Sequence, residues 1–199
     1  MTLLIARHGE TQKNVLKQPH LLNDLEPLTA NGVKQAKLLQ KYAENWKPEQ
    51  IISSPELRSI QTAEIISDSK IATTTDIRLL ERNWGDWTGR AWDDLSKDLD
   101  KMSIQQRYEF VPPNGESWQE FESRLLDLIN EVSKTGKNTL FVTHRGAIRA
   151  IMTNLIYGNV NLHETLEFST GSLTVLEEKS EEKLDFAVEF YGQVLFDLI

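Results

Sequence analysis

The chain has 199 residues, of which 39% are hydrophobic and 26% charged, with a formal net charge of −8 and no cysteine. That length suits one large globular domain, the acidity argues against wrapping nucleic acid or an anionic membrane surface, and the missing cysteines exclude thiol catalysis, disulfides and thiolate metal sites. No apolar run approaches the roughly 18 residues of a membrane span, and the run before Arg7-His8 is too short for a secretory core, so a cytoplasmic protein with no membrane or nucleic-acid partner is expected.

Leu3–Ala6 is apolar without alternation, the pattern of a strand buried on both faces. Residues 20–28 read as a loop. Thr29 is an N-cap for a helix running to about Trp46, with Val33, Ala36, Leu39, Ala43 and Trp46 on one side and Pro48 ending it. Ile51–Ser53 is a second short strand. Ser54-Pro55 predicts an N-cap and first-turn proline, opening a helix with Leu57, Ile60, Ala63 and Ile66 inward.

Ile71–Leu80 is rich in β formers. Residues 82–116 lack long periodicity and hold Trp84, Trp87, Trp92 and Pro112-Pro113, with short helical patches near 91–99 and 103–109. They read as a cap-like excursion from the core. Ser117 and Glu120 form a capping box for a helix with Phe121, Leu125, Leu128, Ile129 and Val132 inward, closed by Gly136. Thr139–Thr143 is a strand and Ala147–Tyr157 a helix. Ser172–Glu177 and the alternating Leu184–Phe190 predict a hairpin, and the chain is expected to end in a strand at Ile199. The alternation of strands and helices predicts a single three-layer α/β domain over residues 1–199. Its central sheet is mostly parallel and flanked by helices, with a C-terminal strand hairpin.

Open α/β sheets bind ligands beyond the carboxyl ends of their strands. Arg7-His8-Gly9-Glu10-Thr11 succeeds the first strand, Arg58 the second, Glu81 the β-rich stretch, and His144-Arg145 the strand at 139–143. Two histidines, at least two arginines and a carboxylate thus converge on one edge. This set suits phosphoryl transfer, where the protein mainly positions groups and neutralises charge spread over three oxygens. Arginine is a bidentate phosphate donor, a neutral imidazole is a nucleophile, and a carboxylic acid can protonate the leaving oxygen. Gly9 is expected to permit a tight turn beside the nucleophile.

Arg7-His8-Gly9-Glu10-Thr11 with Asn14 resembles the signature of the histidine phosphatase superfamily, which includes the cofactor-dependent phosphoglycerate mutases. The segments around Leu28-Thr29, Ser53–Ala63, Leu80–Gly89, Gly115–Arg124 and Val142–Arg149 resemble the family's other motifs in order, over about residues 3 to 150. The resemblance implies His8 as nucleophile and Glu81 as general acid, then base. It also implies Arg7, Arg58 and His144 as the phosphate clamp, and Asn14 as a phosphate or substrate contact at the rim. It implies no metal and no cofactor, and a small-molecule phosphate ester as the partner. Arg145 departs from the small residue usual there. Glu10 and Asp86 compete with Glu81 in sequence proximity, His20 and His163 read as surface or loop residues, and the tryptophans either line the pocket or pack the excursion.

The leading expectation is a metal-independent phosphomonoesterase. A phosphoglycerate mutase is the alternative, since Glu81-Arg82 is similar to the mutase form of the acid loop. The short excursion and the absence of a closing tail favour hydrolysis, because a mutase must shield its phosphohistidine from water. A catalytically weak scaffold of the same fold is the third reading, disfavoured by the complete residue set. The sequence carries no signal for oligomeric state.

Overall fold

A computed structural model describes residues 1–21, 24–158, 166–180 and 184–193. The expected end of the chain at Ile199, His163 and the middle of the C-terminal turn lie outside the described residues. The elements are β1 (Thr2–Arg7), α1 (Gln12–Val15), α2 (Ala30–Ala43), β2 (Gln50–Ser53), α3 (Leu57–Ser67), β3 (Ala72–Thr75), α4 (Trp92–Leu99), α5 (Ile104–Glu109), α6 (Trp118–Ser133), β4 (Thr139–Thr143), α7 (Arg145–Met152), β5 (Ser172–Ser180) and β6 (Asp185–Gln193).

They form a six-stranded sheet in the order β3-β2-β4-β1-β5-β6. β1, β2, β3 and β4 run parallel, and β5 is antiparallel to both neighbours. The three-layer α/β architecture and the C-terminal strand pair are as the sequence predicts. Along β1, Leu3 and Ile5 join a core shared with α6 and α7, while Leu4 and Ala6 join the opposite core under α2 and α3. All four are fully buried, which is why the run shows no alternation. Leu3, Leu4 and Ile5 each contribute on the order of 1.5–3 kcal/mol on burial, so β1 is a rigid mount for the residues at its carboxyl end.

Several expectations change in detail. Of the β-rich stretch only Ala72–Thr75 is strand, and Ile77–Leu79 is a tight turn capped by Asp76. β3 is an exposed edge strand, so β propensity continues past the point where pairing stops. The helix after β2 is capped at Glu56 rather than Ser54, and its buried face carries Arg58, Ser59, Thr62 and Ala63 rather than Leu57 and Ile60. Ala63 and Ile66 join the apolar core as expected, while Thr62 on the same helix meets the loop after β1. The last helix ends at Met152 and widens into a π-turn over Thr153–Tyr157. The Ser117–Glu120 capping box forms as predicted, and all five inward residues of α6 are buried.

From β1 the chain crosses to β2 on one side, whereas from β4 it crosses to β5 on the other. The adjacent carboxyl ends of β1 and β4 are therefore the topological switch point, where a crevice opens.

Candidate active site

A cleft of about 280 Å³ lies at this switch point. It is lined by Arg7, His8, Asn14, Arg58, Glu81 and His144, so the structure brings every sequence-predicted site residue to one cavity.

His8 sits one residue beyond β1. Its N–H donates to Thr143 O at 3.0 Å, and its carbonyl accepts from Gly171 N at 3.2 Å. Gly9 N donates to Thr62 Oγ1 at 3.0 Å, which explains the polar face of α3. The backbone at His8 is thus pinned from three elements. Gly9 is required for a different reason from a tight turn. A Cβ there would lie 2.5 Å from the carbonyl oxygen of Gly32 on α2, so the glycine lets two backbones cross in contact.

The His8 ring is 2% exposed, and its Nδ1 is 2.8 Å from Gly9 O. A carbonyl only accepts, so Nδ1 carries the hydrogen and Nε2 keeps its lone pair in the neutral ring. Burial, with Arg7, His144 and Arg58 nearby, holds the His8 pKa well below the usual histidine value. The imidazole is therefore an uncharged base with a defined tautomer.

Two arginines face it. Arg7 donates Nη1–H to Phe168 O at 2.6 Å, and burial together with Arg145 brings its pKa down to about 10. Arg58, 2% exposed, donates Nη2–H to Glu56 Oε2 at 2.5 Å. Arg7 Nε and both Nε and Nη1 of Arg58 are buried without a hydrogen-bond acceptor. Buried cationic donors left unused within the chain are costly unless an anion meets them.

His144 caps α7, its ring centroid 5.3 Å from that of His8. Glu81 lies across the cleft. Its Oε2 accepts from Gly146 N at 2.9 Å and its Oε1 from Arg82 N at 3.0 Å, so the side chain is held in place at the N-terminus of α7. A Cβ at Gly146 would come within 2.1 Å of Glu81 Oε1. The competing carboxylates are elsewhere. Glu10 accepts from Thr29 and Asn31 on α2, and Asp86 accepts from Asn114, and neither lines the cleft. Asn14 reaches the rim, but its Oδ1 accepts from Thr11 N at 3.1 Å, closing a capping box on α1.

The wall opposite His8 comes from the excursion, which supplies Arg82, Trp84, Thr88, Leu99 and Arg107. Arg82 stacks 4.2 Å from the Trp84 ring and 5.4 Å from the Trp118 ring, and it donates to the carbonyls of Glu116 and Phe110 near the far end of the excursion. Trp87 instead packs on Phe110, and the side chain of Trp92 lies outside the described residues. Arg145 points to the cleft mouth, half-exposed and 3.5 Å from Glu167.

Two lining residues carry no sequence signal. His20, expected on a surface loop, sits with its ring edge-on to His8 at 5.8 Å and its Nε2 2.9 Å from Thr11 Oγ1. Burial, then Arg58, brings its pKa down to about 3. Glu56 touches both Arg58 and His144. His20 stands far from any strand end, and Glu56, though it lies between β2 and Arg58, is of a type usually solvated at a helix start. Among the described residues no group of three or more histidine, aspartate and glutamate side chains is gathered to hold a metal ion, and no helix is long and apolar enough to cross a membrane.

The chain is 30% identical over 167 residues to the uncharacterized phosphatase PhoE of Bacillus subtilis (strain 168), covering 81% of this chain and 80% of that protein. It is 31% identical to the adenosylcobalamin/alpha-ribazole phosphatase of Escherichia coli (strain K12), covering 78% and 79%. The solved structure of Bacillus stearothermophilus YhfR superposes with a TM-score of 0.79 at 25% identity, covering 94% and 95% of the two chains. The model for the histidine phosphatase superfamily, branch 1, matches residues 3–186, and this chain belongs to that family.

Proposed function

We propose that this chain is a phosphomonoesterase that hydrolyses a small organic phosphate through a phosphohistidine at His8. The observation that carries the reading is the defined lone pair on His8 Nε2, held beside buried guanidinium donors that the chain itself leaves unused.

The Nε2 lone pair attacks phosphorus as the ester P–O bond breaks. Glu81, protonated, gives its proton to the leaving oxygen. Arg7, Arg58 and His144 neutralise charge on the equatorial oxygens. Water then attacks the phosphoramidate, Glu81 takes its proton, and the P–N bond breaks to restore neutral His8. Asn14 offers its amide nitrogen at the rim. No step uses a metal, so turnover is expected to persist in a strong chelator.

The excursion 82–116 acts as the cap that shapes the substrate wall. Trp84 and Leu99 offer apolar surface, and Arg107 and Arg145 offer positive charge, which suits a substrate with a short carbon body and a second anionic group.

The test is a quenched reaction with a generic aryl phosphate. Phosphate should be trapped in a form labile to acid and stable to alkali, and His8→Ala should lose trapping and at least about a thousandfold in kcat. An acid-stable phosphoenzyme, or substantial turnover in His8→Ala, would overturn the reading. Interconversion of phosphoglycerates without phosphate release would assign the mutase instead.

A further inference from the structure

Glu56 has no part in these phosphoryl-transfer steps, yet it is 5% exposed and its side chain makes no capping bond to the backbone of the helix it precedes. Its Oε2 lies 2.5 Å from Arg58 Nη2 and 2.9 Å from His144 Nε2. One carboxylate oxygen therefore joins two members of the phosphate clamp. Because that oxygen only accepts, His144 Nε2 carries the hydrogen, with Ser54 Oγ also 2.9 Å away. Nδ1 then keeps its lone pair and accepts from Arg58 Nη2 at 3.3 Å. The three groups form a closed set around a neutral imidazole, with the charge of Glu56 balanced by that of Arg58.

The other charged or titratable groups facing this set are His8 at the end of β1, His20, Asp24 and Glu26 from the loop between α1 and α2, and Glu81 from the loop before the excursion. Burial lowers the His144 pKa, while the bond to Glu56 opposes that shift. Burial raises the Glu56 carboxyl, but His144 and Arg58 outweigh it and leave its pKa below the usual value. Glu56 thus stays charged, and His144 is the group whose proton occupancy depends on what enters the clamp.

We infer that Glu56 makes phosphate binding proton-coupled: an entering dianion draws the Arg58 Nη2–H away from His144 Nδ1, Nδ1 takes one proton from solvent and donates it to a phosphate oxygen, and Glu56 holds the resulting imidazolium through Nε2–H. Glu56 is in this sense a positioning residue, acting through His144. A glutamine would still accept from Nε2 but would supply no countercharge, so His144 would stay neutral and Arg58 alone would meet the dianion. The inference rests on Arg7, Arg58 and His144 acting as a phosphate clamp.

The experiment measures the dissociation constant of inorganic phosphate for the whole chain between about pH 5.5 and 8.5, in the wild type and in Glu56→Gln. Comparing the two cancels the ionisation of phosphate itself. The wild-type affinity should fall more steeply with rising pH, the curves converging or diverging by up to about tenfold per pH unit, the slope of one coupled proton. Glu56→Asp keeps the charge and should restore the wild-type slope. Parallel curves for wild type and Glu56→Gln, or an Asp curve that tracks Gln, would overturn the inference while leaving the clamp intact. Should Glu56→Gln not fold, calorimetry of phosphate binding to the wild type in two buffers of different ionisation enthalpy reads the proton directly. Uptake no greater than phosphate's own ionisation requires would overturn it. A wild type that binds no phosphate would overturn the clamp reading and this one together.

Discussion

His8 hangs from β1, whose Leu3, Leu4, Ile5 and Ala6 are fully buried, whereas Trp84, Leu99 and Arg107 across the cleft stand on a segment whose helices are eight and six residues long. The first wall is held by the sheet, by backbone bonds to β4 and to the segment before β5, and by the Thr62 hydroxyl of α3 on Gly9 N. The second has two backbone bonds between its ends, Asp86 N to Pro113 O and Glu116 N to Asn83 O, and is otherwise held by side chains. Arg82 ties the two ends of the excursion together, and Arg124 grips the carbonyls of Arg78, Leu80 and Glu81 while pairing with Glu116. Helices that short are not stable alone. The difference assigns rigidity to the chemistry and adaptability to substrate recognition. Damage to the first wall should therefore cost turnover, and damage to the second should shift preference.

The largest effect after loss of His8 itself is expected at Glu81, which stands between the two walls. Glu81→Gln should slow esters with poor leaving groups by about 10²–10⁴ while sparing activated ones. Equal loss on both, measured as kcat across a leaving-group series, would move the acid role elsewhere.

Gly146→Ala tests the rigid wall without removing any functional group. The new methyl collides with the Glu81 carboxylate, so kcat should drop by about ten- to a hundredfold, the penalty of misplacing a reacting group by about 1 Å. The melting temperature should change little, because the displaced side chain is half-buried. A variant with normal kcat would show that Glu81 tolerates being moved.

Acid should distinguish the walls too. His8, His144 and His20 all have pKa values lowered in the folded state. Below about pH 6.5 the unfolded chain binds more protons than the native one, so the stability these groups contribute is present above that pH and is lost as pH falls below it. The melting temperature should drop steadily on acidification, and less steeply in His8→Ala. The same depression keeps His8 neutral, so kcat/KM should show no loss attributable to His8 until well below pH 6.5.

The smallest effect belongs to the cleft mouth. Arg145→Gly removes a half-exposed charge already paired with Glu167. It should lower kcat/KM about two- to fivefold for substrates with a second anionic group, and leave neutral-tailed ones unchanged. Equal effects on both classes would remove Arg145 from substrate recognition.

The order of elements, the double burial of β1, the Ser117 capping box and the placement of Arg7, His8, Arg58, Glu81 and His144 at one edge were legible in the sequence. Each depends on local periodicity or on the residues just past a strand, and a parallel sheet carries strand ends to one side whatever the loops do. Other features depended on contacts between distant segments. The α3 helix turns a polar face inward because Thr62 meets Gly9, and its helical period alone favours the apolar stripe. His20 reaches His8 through a loop with no regular pattern, and Gly9 and Gly146 are needed because of partners 23 and 65 residues away, Gly32 and Glu81. Glu56 looks in sequence like an ordinary charge at a helix start. Only the folded chain places its carboxylate between Arg58 and His144, because burial with two cationic or ionisable donors on one oxygen arises when β2 and β4 pair and bring their ends together.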